Sequence, residues 1–242
     1  MKTIIIAVLA LFSVQLSPPD AYEILQKVDA NMSSDNRIFE STMIVHGRRR
    51  SRTITSKSWS EGSERSLTEY LSPAREQGTK MLKLAKELWI FSPSSDRTIK
   101  ISGHMMRQSV MGSDLSYEDM MEDRKLTDVY HAEITGEEEM DGRLCYVLEL
   151  TAKVEDVAYQ SRKTWIDKER FVPLREELFA KSGQLLKRTD LSEVEQIQGR
   201  WFPKKIVYKD MLKDGKGTEF IMTNISFNQN IAPQLFTKAS LK

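Results

Sequence analysis

Two periodicities divide the chain. Near the start, Ile24, Leu25, Val28 and Met32 recur at helical spacing and fall on one face of a helix of roughly three turns. Asp20 stands at the N-cap position with Glu23 three residues on, and the polar run Ser33-Ser34-Asp35-Asn36 supplies the end. From Phe39 onward the period drops to two. Alternation predicts strands at 39–46, 51–60, 64–71, 80–84, 88–91 and 97–101, and again at 132–136, 144–152, 162–167, 171–180, 185–194, 202–208 and 218–227. Turn residues separate them: Gly47, Glu61-Gly62, Ser72-Pro73 and Ser92-Pro93-Ser94-Ser95 early, then Asp141-Gly142, Asp167-Lys168-Glu169, Lys181-Ser182-Gly183 and Asp214-Gly215-Lys216-Gly217. Midway, residues 112–119 break the alternation. Ser116 is placed to cap a short helix with Asp119 three residues on, and Leu115, Met120 and Met121 give it an apolar side. About a dozen antiparallel strands make a sheet too wide to stay flat, so it must curl into a barrel or half-barrel. No repeat and no linker rich in Pro, Gly or Ser divides 18–242, which reads as one domain.

The first residues follow neither period. Lys2 precedes an unbroken apolar run from Ile4 to Phe12, and Pro18-Pro19 follows, the layout of a signal peptide over 1–17. A bilayer-spanning helix needs about 20 apolar residues, more than this run holds, so export is expected, with a retained N-terminal anchor as the alternative. The leader holds no cysteine to acylate. The lone Cys145, in the strand around Leu144 and Tyr146, has no internal disulfide partner and reads as a packed thiol.

Composition narrows the chemistry. Lys plus Arg number 36 and Asp plus Glu 35, so the net charge of +1 gives no field that would gather nucleic acid. His46, His104 and His131 share no metal-ligand spacing, and no nucleophile elbow or phosphate-binding glycine loop occurs, so neither metal, cofactor nor catalytic set is expected. Gly112-Ser113-Asp114 reads as turn and cap. Glu137-Glu138-Glu139 reads as a solvated loop. Arg48, Arg49, Arg50 and Arg52 sit at the tip of the first hairpin, either as a solvated turn or as a contact for anionic lipid headgroups or an acidic partner. Five of the 12 methionines, Met105, Met106, Met111, Met120 and Met121, gather around the short helix. Methionine suits surfaces that accept varied apolar shapes, although core filling and Cu(I) binding are alternatives. Leu144, Tyr146, Leu148 and Leu150 share one face of their strand, and Trp89 and Phe91 share one face of theirs. A curved sheet whose inner face is not filled by side chains holds a cavity, and the pattern alone reaches that far.

Several runs resemble a known family. They are Gly78-Thr79-Lys80-Met81-Leu82-Lys83, Leu88-Trp89-Ile90-Phe91-Ser92-Pro93, Arg97 to Ile101 with Ser102-Gly103, and Met106-Arg107-Gln108-Ser109. Gly112-Ser113-Asp114, Tyr117-Glu118-Asp119, Trp165-Ile166-Asp167, Phe171-Val172-Pro173-Leu174 and Arg200-Trp201-Phe202-Pro203-Lys204 continue the series. In order and spacing, the chain resembles the outer-membrane lipoprotein-sorting proteins, the LolA-like family, in an uncharacterised envelope branch. The resemblance implies a mainly β fold, an unclosed barrel of roughly eleven antiparallel strands whose open side is covered by an N-terminal and a short mid-chain helix. It further implies a periplasmic, non-enzymatic carrier or receptor for lipid acyl chains or a lipoprotein. Partners implied are an inner-membrane exporter of the resistance-nodulation type or an outer-membrane acceptor. The cavity is then expected between the strands of Trp89 and Leu148 and the helix at Met120. Its expected lining is Met81, Trp89, Phe91, Ile99, Ile101, Met106, Leu115, Met120, Met121, Tyr146, Leu148 and Trp165. The alternatives are an exporter adaptor docking through the arginine tip and a lipid hydrolase using Ser113.

Overall fold

The computed structural model describes residues 19–47 and 49–242, so the expected signal segment 1–17 and Arg48 lie outside the described residues. Helix α1, Ala21–Met32, begins as its sequence requires: the Asp20 carboxylate accepts the Glu23 N–H at 2.7 Å. Its apolar stripe of Ile24, Leu25 and Val28 is fully buried against Tyr146, Leu148, Leu150 and Ile166 of the sheet. Each such side chain contributes about 1.5–3 kcal/mol of burial, which holds a helix this short in place.

The strands are β1 Asn36–His46, β2 Ser51–Glu61, β3 Arg65–Ser72, β4 Lys80–Leu84, β5 Glu87–Ser92, β6 Arg97–Ile101, β7 Tyr130–Met140, β8 Arg143–Ala152, β9 Ser161–Asp167, β10 Pro173–Phe179, β11 Leu185–Ile197, β12 Arg200–Asp210 and β13 Thr218–Phe227. They form one antiparallel sheet in the order β6-β5-β4-β3-β2-β1-β13-β12-β11-β10-β9-β8-β7, two meanders joined where the first strand pairs with the last. No ladder joins β6 to β7, so the barrel is unclosed. The strand number is thirteen rather than the eleven the resemblance implied, in line with the alternation pattern. Residues 102–129 run between the two free edges and carry two 3₁₀ turns, Gly103–Arg107 and Val110–Gly112, and two short helices, α2 Tyr117–Met121 and α3 Leu126–Val129. α2 starts with a reciprocal capping box between Ser116 and Asp119.

The register fixes which side chains face inward. Met43 opposes Ile54 and Phe220, and Tyr70 opposes Ser56, placing them on the concave face. On β5 the concave face takes Leu88 and Ile90, so Trp89 and Phe91 point outward. That corrects the expectation that they face a cavity. They pack with Leu67 and Leu82 beneath two C-terminal 3₁₀ turns, Pro233–Phe236 and Lys238–Leu241, whose Phe236 and Leu241 are buried there. Trp165 likewise lies outside, with Cys145 and Val147. Glu137, Glu138 and Glu139 are not a loop but the far half of β7. β7 is an edge strand, and a row of exposed carboxylates discourages pairing with another chain.

Candidate functional site

Between the concave face and its helical cover lies a cavity of about 350 Å³. Its floor is Met43, Ile54, Tyr70, Ile206, Tyr208 and Phe220, its roof Val110, Leu115 and Met120, and its end Val28 and Met32 of α1. The size falls in the ordinary range of small-molecule sites, about 300–1,000 Å³. Of the twelve residues expected to line it, Leu115 and Met120 do so. Met81 and Ile101 are buried in the cluster that supports this wall, with Met106 and Met121 packed against it. Tyr146 and Leu148 lie under α1 in a neighbouring cluster. Ile99 is 47% exposed on the edge strand β6. Trp89, Phe91 and Trp165 are on the convex side. The methionine signal was sound for the cover: Met105, Met106, Met111, Met120 and Met121 all meet the same apolar cluster, joined by Met43 and Met81 from the sheet.

The lining also carries polar groups. Ser56, Ser58 and Thr68 are buried on the concave face, where Ser58 and Thr68 hydrogen-bond at 2.9 Å and Ser56 bonds Ser41 at 2.8 Å. Arg37, Arg124 and Arg162 line the cavity as well. Arg37 on β1 and Arg162 on β9 alternate like the apolar residues, but a charged residue at such a position reads as solvent-facing until the register is known, and Arg124 lies between α2 and α3.

The cover is fastened by buried polar contacts. Asp119 accepts from the backbone and hydroxyl of Ser116 at 2.6 and 2.7 Å, from the Tyr159 hydroxyl at 2.5 Å and from Lys187 Nζ. Burial, and next the negative charge of Asp119, push the Tyr159 hydroxyl far above the usual phenol range, so it stays a donor. Lys83, whose side chain is almost fully buried, donates to the Met121 carbonyl at 2.5 Å and to Asp123 at 3.1 Å. Asp29 of α1 accepts the N–H groups of Leu126 and Thr127 at 2.8 and 3.0 Å and the Thr127 hydroxyl at 2.7 Å, tying α3 to α1. Arg52 donates to the Met111 carbonyl and so joins the first hairpin to the cover, whereas Arg49 and Arg50 are exposed. Ser113 is 2% exposed and its hydroxyl is used within the turn, accepting the Leu115 N–H at 3.2 Å. Asp114 bonds Thr218 and the Asp210 N–H. Burial raises the Cys145 thiol to about 11, which keeps it protonated and quiet. Among the described residues, no group of three His, Cys, Asp or Glu side chains is placed to share a metal ion.

A family model described as an uncharacterized protein matches residues 62–242. No curated protein matches the chain. Three crystal structures share its fold along nearly its whole length. A DUF1329 family protein from Desulfovibrio piger superimposes with a TM-score of 0.82 at 25% identity, covering 91% of this chain and 97% of that one. A domain assigned to outer membrane lipoprotein sorting from Vibrio parahaemolyticus gives 0.79 at 23%, covering 91% and 97%. A LolA superfamily protein from Nitrosomonas europaea gives 0.77 at 26%, covering 92% and 100%. With the unclosed thirteen-stranded sheet, the helical cover and the cavity between them, the chain belongs to the LolA-like proteins, in the family of uncharacterized proteins whose model spans residues 62–242.

Proposed function

We propose that this protein is a periplasmic carrier or receptor that holds a lipid acyl chain, or the acylated end of a lipoprotein, in the covered cavity and performs no chemistry on it. The observation that carries the reading is the cavity of about 350 Å³ floored by Met43, Ile54 and Phe220 and roofed by Leu115 and Met120. The likeness to a LolA superfamily protein and to a lipoprotein-sorting domain supports the class of cargo. Among the described residues, no helix is long and apolar enough to cross a membrane.

The energetics suit reversible carriage. Twelve buried methylenes at about 0.8 kcal/mol each give about 10 kcal/mol, and association costs at least about 4, leaving about 6 kcal/mol at most and a Kd of about tens of micromolar or weaker. A cargo held that loosely can be passed on. Methionine on the roof adapts to chains of different length and unsaturation. Exposed Arg49 and Arg50 offer a contact for anionic headgroups or an acidic exporter or acceptor surface. Native mass spectrometry of protein exported to a bacterial periplasm and purified without detergent tests the reading. One co-purifying lipid per chain is expected, and a ligand-free protein that takes up no fluorescent fatty acid would overturn it.

A further inference from the structure

The charges lining the cavity do not cancel in pairs. Five carboxylates line it, and each is engaged: Asp29 by the α3 amides, Asp119 by Lys187, Asp123 by Lys83, Glu122 by Arg124 at 2.5 Å, and Glu176 by Arg162 at 3.6 Å. Arg37 remains. Among the described residues its guanidinium makes no hydrogen bond and no ion pair, and its Nε is sealed from solvent without a partner. Its Cζ lies 5.2 and 5.6 Å from the ring centroids of Phe39 and Phe202. Burial disfavours its charged form, and Arg200 nearby adds positive potential that Asp123 offsets. Arg200 itself is spent on the Ser33 carbonyl.

Its position gives this orphan charge a meaning. Arg37 opens β1 directly after α1, and it lines both the cavity and an adjoining polar groove of about 990 Å³ that reaches Asp35, Arg65 and Arg200. A cation between an apolar chamber and a wet groove matches an amphiphile, with hydrocarbon inward and head at the rim. The guanidinium fork presents paired donors suited to a carboxylate or phosphate, and a buried cation gains most from an anion where water is scarce. We infer that the cavity selects an anionic lipid, a fatty carboxylate or phosphate monoester whose head is gripped by Arg37, over a neutral acyl anchor. This rests on the acyl-chain reading above and sharpens it to a ligand class.

Calorimetric titration with dodecanoate, dodecanol and inorganic phosphate tests it. Wild-type protein is expected to bind dodecanoate at least tenfold tighter than dodecanol, with phosphate alone far weaker than dodecanoate. Arg37→Met is expected to bring dodecanoate down to the dodecanol affinity while dodecanol changes less than twofold, with Arg37→Gln as the substitute should the Met variant fail to fold. Equal affinity for dodecanoate and dodecanol in the wild type, a preference that survives loss of Arg37, or phosphate binding as tight as dodecanoate would each overturn the anionic selection and leave acyl binding standing. Failure of dodecanol and dodecanoate alike to bind would overturn both.

Discussion

The cover is expected to hang on Asp119. Asp119→Ala removes four hydrogen bonds at once: two from the N–H and hydroxyl of Ser116 at the start of α2, one from the buried Tyr159 hydroxyl and one from Lys187. The side chains of Asp119 and Lys187 are only 11% and 10% exposed, so the lysine is left as a charge with little water and no partner. Breaking such a pair costs about 3–5 kcal/mol, and loss of a cap adds about 1. Most of that loss should be local, because α2 packs on the cavity roof while the sheet ladders continue without it. Amide hydrogen exchange across 113–122 should then quicken by about two orders of magnitude, since each 1.4 kcal/mol is tenfold, while β11 and β12 keep their protection. A cycle pairing Asp119→Ala with Lys187→Met should show a coupling of about 2 kcal/mol in urea denaturation. Exchange unchanged within threefold, together with additive single variants, would refute the reasoning.

Other expectations are independent of the cover. Burial alone would raise the Asp167 carboxyl, but the Arg143 fork at 2.5 and 3.0 Å and the N–H groups of Arg170 and Glu169 hold it below its ordinary 3.8. The native state therefore binds that proton less readily than the unfolded chain, so its stabilisation is complete above pH 3.8 and lost as pH falls through the lower native value. Asp167→Asn should cost about 2–4 kcal/mol at neutral pH by denaturation and flatten the acid limb of the stability profile. Leu148→Ala, at a fully buried site against α1, should cost about 2–5 kcal/mol in the same assay. Gly217 has φ +89°, and a Cβ there would stand 2.5 Å from the Tyr208 carbonyl, so Gly217→Ala should lower Tm through loss of about 1–3 kcal/mol or more where β12 meets β13. Ile54→Trp, filling the cavity floor, should abolish fatty-acid uptake in a fluorescence titration while circular dichroism keeps its β signature.

Local structure was largely legible in the chain because its signals are local. The Asp20 cap, the Ser116 capping box and the strand positions follow from residues within one turn or one hairpin of each other. What alternation cannot tell is which of its two faces is inside. Trp89 and Phe91 share a face, as read, but that face is closed by Phe236 and Leu241, about 150 residues later. Apolar residues following Pro233 were the available signal. The charged half of the site was hidden for a different reason. Lys83, Lys187 and Arg162 occupy inward positions because the fold brings each a carboxylate, Asp123 and Asp119 from the cover and Glu176 from the neighbouring strand, and Arg37 sits inward against the rings of Phe39 and Phe202. Glu137 to Glu139 show the converse, since their charge suits an edge strand as well as a loop.

The most direct test of the central claim is to map where a bound chain touches the protein, using a diazirine-bearing palmitate analogue and peptide mass spectrometry. Labels on Met43, Ile54, Leu115, Met120 or Phe220, competed away by unlabelled palmitate, are the predicted result. Labels confined to the convex face, at Trp89, Phe91 or Trp165, would contradict it.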